Sequence, residues 1–316
     1  MTPQPPENRD KDAGRWSDLG RPPLNATALR RALVRPGALW TALDVVPATG
    51  STNTDLAARA AAGEVEEGAV LVAEEQSAGR GRLNRSWSAP PRSGLFFSVY
   101  LTPQVPAQRW GWLPLLTGVA TATALSRTAG IDTALKWPND ILVSCPGDAD
   151  ADAAGPDGTP GTGERKVGGI LAERAGAGVV IGIGLNVSLT ADELPVPTAG
   201  SLALAGAATT DRDPLLRAVL RSLEEWYATW QSAVGDPGAS RLQETYTAGC
   251  ATLGRSVRAE LPGDTALTGE AVAIDADGRL VLATSNGVRH PVGAGDIIHL
   301  RATAPRRTGG DDSPQQ

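Results

Sequence analysis

Two apolar runs joined by small residues constrain this chain more than any other feature. KVGGILAE at 166–173 and GVVIGIGLNV at 178–187 meet through AGAG at 175–178. Runs of this length rich in Val, Ile and Leu, bounded by glycine, predict neighbouring antiparallel strands with a tight connection.

The rest of the pattern is built around that pair. An apolar run at Leu43–Val46 precedes Ser51-Thr52-Asn53, which opens a helix reaching about Ala62 and closed by Gly63. A strand follows at Ala69–Glu74, then the loop AGRGRLNRSWSAPPRSG and a strand at Leu95–Leu101. Leu113–Thr128 reads as a helix with Pro114 in its first turn and Gly130 after its end. KWPND lies within an ordered stretch, Leu135–Val143. Asp213-Pro214 is a good N-cap and first-turn pair, and Leu216, Leu220, Leu223, Tyr227 and Trp230 recur at helical spacing, predicting a helix that covers one face of a sheet. Short alternating runs from Val257 to Arg301, split by PGD, DADG and NG, predict a small β-barrel. The expected divisions are a Pro-rich, largely disordered tail over 1–38 with one short helix near Thr27–Val34 that could pack on the body, a main domain over 39–246, a small C-terminal domain over 247–302, and a disordered tail over 303–316. Within the main domain, 144–165 is rich in Gly, Pro, Asp and Ala and reads as a flexible insert.

Composition narrows the class. A net charge of -6 over 316 residues argues against a protein held mainly by nucleic-acid phosphates, so any anion site must be a local cluster. Only Cys145 and Cys250 are present, the first residues hold no apolar leader, and no run approaches a membrane span, which together predict a reducing cytoplasm.

That local cluster is Gly79-Arg80-Gly81-Arg82, with Arg85 and Trp87 after it. Glycines let backbone amides approach an anion and arginines supply charge-assisted donors, although a short Arg/Gly stretch is more often a solvated loop. No GxxxxGK[ST] occurs, and GIGLNV has valine where a third glycine of GxGxxG would fall. Lys136 and Lys166 border apolar strands, where a charge is expensive unless it meets an anion or snorkels to solvent. Asn139 and Asp140 sit at a proline turn, and Asp140 could hold Mg²⁺ on a nucleotide. Thr52 and Asp55 fit a capping box. His290 and His299 both fall in the C-terminal part, which leaves the main domain no imidazole for a Ser/His/Asp triad or a zinc site, so chemistry there rests on positioning and positive charge.

In order, STN, QSAGRGRLNRSW, KWPND, KVGGILAE and GIGLNV resemble the catalytic domain of biotin–protein ligases over roughly Leu39–Trp230, and the ending resembles that family's SH3-like C-terminal domain. The resemblance implies an α/β (α+β) fold, a mixed sheet backed by helices, of the type shared with lipoate ligases and class II synthetases. It implies biotin and ATP as substrates with Mg²⁺, and a biotin carrier domain of a carboxylase as partner. It assigns biotin to Ser51, Thr52, Asn53, Gln76, Gly79, Arg80, Gly81, Trp87, Lys166 and Gly169. ATP falls to Arg82, Arg85, Lys136, Asn139, Asp140 and Asn186, and the metal to Asp140. Lys166, Arg82, Asp140 and Lys136 are the residues assigned to the reaction itself.

Members of the family that repress transcription carry an N-terminal winged helix, and the residues before Leu39 are too few for one; the expectation is a ligase that does not bind DNA, favoured as a monomer. The 144–165 insert is expected to project into solvent and to be dispensable. A lipoate ligase and a non-catalytic biotin sensor are the rivals. GRGR followed by KWPND argues against the first, and the retained Arg82, Asp140 and Lys166 against the second.

Overall fold

In the computed structural model, residues 20–145, 163–261, 263, 265–293 and 296–300 are described. Most of the 144–165 stretch, and both ends of the chain, lie outside them.

A seven-stranded mixed sheet is the centre of the molecule, in the order β1-β2-β5-β9-β8-β7-β6. Its strands are β1 (Ala42–Val46), β2 (Ala69–Ala73), β5 (Gly94–Leu101), β6 (Thr133–Lys136), β7 (Asp140–Ser144), β8 (Glu164–Ala175) and β9 (Gly178–Asn186). β1 and β2 run parallel, and the remaining neighbours are antiparallel. β8 and β9 form the expected hairpin, in which Ala175 faces Gly178 across the turn. KWPND makes the turn between β6 and β7, with the Trp137–Pro138 peptide cis and Asn139 N–H donating to Lys136 O (3.2 Å).

Side chains alternate across the sheet with the strand period of two. Val179, Ile181, Ile183 and Leu185 of β9 enter the large core, where helices α3 (Leu113–Ala129) and α4 (Arg212–Ser232) cover the sheet side by side. On the other face, Val180 meets α2 (Thr52–Ala61) through Leu56 and Ala60. Beyond Val180 that face carries Gly182, Gly184 and Asn186, and this run of small residues leaves room for a cleft.

Two helix starts differ from the sequence reading. α4 begins at Arg212 and is capped by Asp211, which accepts from Asp213 N–H (3.0 Å); Pro214 lies inside its first turn. Ser51, not Thr52, caps α2, and Asp55 turns back to the Thr49 hydroxyl, so the capping box does not form.

The proline-rich lead-in also departs from the expected tail, because from Gly20 onward it belongs to the body. The short helix, α1 (Ala26–Leu33), buries Leu29 and Leu33, and Asn25 caps it. Ahead of it, Leu24 N–H donates to Glu74 (2.6 Å) and Pro22 O accepts from Arg212 (2.6 Å). Glu74 and Arg212 are themselves a buried ion pair at 2.6 Å. A composition-based reading misses this, because the anchor is made by residues that lie far away in the chain.

The C-terminal unit is a five-stranded antiparallel sheet in the order β13-β12-β11-β10-β14: β10 (Ser256–Leu261), β11 (Thr265–Ile274), β12 (Leu280–Ala283), β13 (Arg289–Val292) and β14 (Asp296–His299). Its core is continuous with that of the main sheet. The β11–β12 turn accepts from two indoles, Trp112 to Ala276 O (2.9 Å) and Trp137 to Gly278 O (3.0 Å). Just before β10, Gly249 and Ala251 bond both sides of Leu135 on edge strand β6. These contacts hold β14 beside the cleft. No helix among the described residues is long and apolar enough to cross a membrane.

Candidate active site

The cleft, about 930 Å³, opens over the glycine face of β8 and β9. Ser51, Thr52, Asn53, Gln76, Arg80, Gly81, Arg82, Arg85, Trp87, Lys136, Asn139, Asp140, Lys166, Gly169 and Asn186 all line it. Every residue that the resemblance assigned to the site is there except Gly79.

At one end, the start of α2 meets the end of β2. Thr52 N–H (2.8 Å) and its hydroxyl (3.2 Å) both donate to Gln76 Oε1, so the amide's NH₂ end is left to face the cleft. Ser98 donates to Asn53 Oδ1 (2.7 Å), and its oxygen lies 2.8 Å from the Thr52 hydroxyl. Asn53 spends its own amide on Leu171 O (3.1 Å) and Glu173 (2.9 Å), so its side chain is committed at both ends.

The glycine-rich loop stands over the middle as a two-residue hairpin, β3 (Gly79–Arg80) paired with β4 (Ser86–Trp87). Its glycines act differently from the sequence reading. A Cβ on Gly79 would meet Trp87 O at 2.4 Å, so that glycine serves the hairpin's own close approach. Gly81 N–H is spent on Arg85 O (2.7 Å) rather than left for an anion. The loop's arginines supply the positive charge. Burial draws the Arg82 guanidinium below its usual range, and Asp296 and Asp140 oppose that shift. Trp87 lies on the glycine face: a Cβ on Gly184 would meet its ring at 2.9 Å, and one on Gly169 at 3.1 Å. Its indole N–H is buried and has no partner among the described residues.

At the other end, β7 and β8 pair through a bulge that sets Lys166 against Leu142 and Gly168 against Ile141. The Lys166 backbone is fastened on its other side by Thr198 O and Gly200 N–H (both 2.8 Å). Held this way, Lys166 Nζ reaches Asp140 at 2.6 Å and stands 5.6 Å from the centre of the Trp87 ring. Asn139 donates to Ile170 O (2.9 Å), and Arg82 donates to Asn139 Oδ1 at 3.5 Å. Asn186 is buried and donates to Gly200 O (2.9 Å).

The C-terminal sheet supplies residues the sequence reading did not find. Asp296 pairs with Arg85, and Arg255 holds Glu164 (2.8 Å) and approaches His299 Nδ1 (3.0 Å). Burial, then Lys136, then Arg255 drive the His299 imidazole down to about 3, so it is neutral near pH 7. No sequence motif joins these residues to the loop, because docking of a separate sheet brings them there.

Such a site has many donors facing two anions' worth of space, a carboxylate, Asp140, beside Lys166 in its middle, and a donor–acceptor set at one end for a neutral polar group. Among the described residues no group of three or more His, Cys, Asp or Glu could hold a metal by itself. Asp140 alone suits Mg²⁺, which keeps few protein ligands and is carried on nucleotide phosphates.

Comparison with known proteins follows the same lines. Residues 45–187 match the biotin/lipoate A/B protein ligase family, and residues 252–300 match the biotin protein ligase C-terminal domain. A biotin–[acetyl-CoA-carboxylase] ligase of Mycobacterium tuberculosis is 42% identical over 288 residues, covering 90% of this chain and 98% of that protein. A bifunctional ligase/repressor of Bacillus subtilis is 32% identical over 78% of this chain and 70% of its own length. Among solved structures, the biotin protein ligase of Aquifex aeolicus in complex with biotin and ATP superposes with a TM-score of 0.64 at 26% identity, covering 83% of this chain and 100% of that one.

Proposed function

Because the chain belongs to the biotin/lipoate A/B protein ligase family, we propose a division of labour within its cleft for the reaction it catalyses, the ATP-dependent biotinylation of a carboxylase carrier protein. A carboxylate oxygen of biotin attacks the α-phosphorus of ATP and diphosphate leaves. A carrier lysine amine then attacks the acyl carbon of biotinyl-5′-adenylate, and AMP leaves.

The ureido ring fits the Ser51, Thr52 and Gln76 end, where the Gln76 amide, oriented by Thr52, offers donors to a neutral polar group. Two anions must then meet at the middle, so cations that stabilise the developing charge govern the first step. Lys166, pre-set by Asp140, lies where the carboxylate and α-phosphate come together, and Arg82 faces the phosphate from the loop. Lys136, Asn139, Arg85 and Asn186 form the nucleotide side. Asp140 would hold Mg²⁺, which when bound would supply further charge neutralisation to the phosphates. The acyl phosphate formed is destroyed by water, and the Arg82–Asn84 turn over the cleft gives the loop a means of shielding it.

The observation that carries this reading is the convergence of five separate segments, through Ser51, Gln76, Arg82, Asp140 and Lys166, on one cleft of suitable volume. We place nucleic acid outside its partners on the acidic balance of the chain, and assign it to the cytoplasm, where ATP and carboxylases meet. The direct test is exchange of labelled diphosphate into ATP without carrier. Biotin should support exchange and lipoate should not; exchange with lipoate alone would overturn the assignment.

A further inference from the structure

The motif KVGGILAE ends in an acid, Glu173, to which the reaction above gives no task. Its place is specific. Glu173 lies on β8 opposite Val180, on the face that carries α2 and the cleft. One carboxylate oxygen takes Arg80 Nη2 at 2.9 Å, and the other takes Arg80 Nη1 (3.1 Å) and Asn53 Nδ2 (2.9 Å). Arg80 belongs to β3, the stem of the glycine-rich loop, while Asn53 adjoins Thr52 at the start of α2. A single carboxylate therefore fastens the loop's stem to the helix that presents Ser51 and Thr52.

We propose that Glu173 is the positioning residue for the biotin end of the site, acting through Arg80 to fix the glycine-rich loop over the ring pocket. Fork-to-carboxylate pairing sets direction as well as distance, which a point charge would not. The stem is also held at the biotin end by Ala78 N–H on Gly50 O (2.8 Å) and by Arg80 Nη1 beside Thr54 Oγ1 (3.5 Å), while Arg82 on Asn139 at 3.5 Å and Arg85 on Asp296 hold the nucleotide end. Loss of the Glu173 anchor thus loosens Arg80 and its strand at the biotin end, where the backbone bond of Ala78 remains, while the nucleotide end stays held. Biotin then binds more weakly and the adenylate escapes more readily, with ATP binding unaffected. The inference rests on the ligase reading.

The test compares wild type, Glu173→Gln, Arg80→Ala and the double variant, with thermal unfolding of each. KM for biotin, KM for ATP and release of biotinyl-adenylate without carrier are measured. Glu173→Gln keeps shape and an acceptor for Asn53 but loses the charge pair, so KM for biotin should rise about tenfold while KM for ATP stays within about twofold. Adenylate release should rise in parallel, and in the Arg80→Ala background the same substitution should add nothing. Unchanged biotin KM, equal rises in both KM values, or an undiminished effect without Arg80 would each overturn the proposal. Glu173→Asp, too short to hold both partners, repeats the test should Glu173→Gln unfold. Wild type that incorporates no biotin at all would instead overturn the ligase reading beneath it.

Discussion

Gly182 and Gly184 share one face of β9, yet alanine at the two positions should fail in different ways. At Gly182 the new Cβ would lie 2.2 Å from Asn53 Oδ1. That amide cannot step aside, since Ser98, Leu171 O and Glu173 all hold it within a buried site. Breaking two or three such bonds at about 1 kcal/mol each, less about 0.5–1 kcal/mol regained by replacing a strand glycine, gives a destabilisation of about 1–2.5 kcal/mol. At Gly184 the Cβ would lie 2.9 Å from the Trp87 ring, whose indole N–H makes no hydrogen bond among the described residues and whose strand is two residues long. A ring placed like that gives by a few tenths of an ångström, so stability should change by less than about 1 kcal/mol while the ring moves into the cleft beside Lys166. Urea unfolding and KM for biotin read the two effects separately: Gly182→Ala lowers stability most, and Gly184→Ala raises KM for biotin at near-native stability. A stable Gly182→Ala protein with unaltered KM, or an unfolded Gly184→Ala protein, would refute the assignment of one fixed and one yielding neighbour.

Further outcomes follow from the same contacts. Arg212→Ala leaves Glu74 buried without its cation and should cost about 3–5 kcal/mol in urea unfolding, with proteolysis entering first at Pro22–Leu24. His299 has a folded value of about 3 against 6.5 when free, so the unfolded chain takes up its proton first and stability falls as pH drops below about 6.5. With partial exposure discounted, that is about 1 kcal/mol lost between about pH 7.5 and 5, a slope that His299→Gln should remove. Glu193, held at about 2 by Arg21, stays ionised throughout that interval and does not contribute. Asp296→Ala should raise KM for ATP more than KM for biotin, because the pair it breaks with Arg85 tethers the nucleotide end of the loop.

What the sequence made legible followed local periodicity and turn chemistry. The β8–β9 hairpin, α3 with Gly130 in a left-handed cap, and the helical spacing of Leu216, Leu220, Leu223, Tyr227 and Trp230 are all written within short windows. So is the cleft's floor, once Val180, Gly182, Gly184 and Asn186 are seen to share a face. Residues that join distant parts were not legible. Glu74, Arg212 and Pro22 meet only after folding, and a proline-rich composition concealed an anchored segment. Gly81 carried a misleading signal, since glycine allows close approach without saying what approaches. Asp296 and His299 reach the cleft through docking of the C-terminal sheet, by Trp112, Trp137 and the Leu135 backbone among others.

The central claim is that this cleft makes and transfers biotinyl-adenylate, with Lys166 between the reacting anions. Mass spectrometry of a biotin carrier domain incubated with the protein, ATP, Mg²⁺ and biotin tests it most directly. One lysine should gain a single biotinyl group with wild type and essentially none with a folded Lys166→Ala variant. An unmodified carrier with wild type, or equal modification by both proteins, would contradict the account.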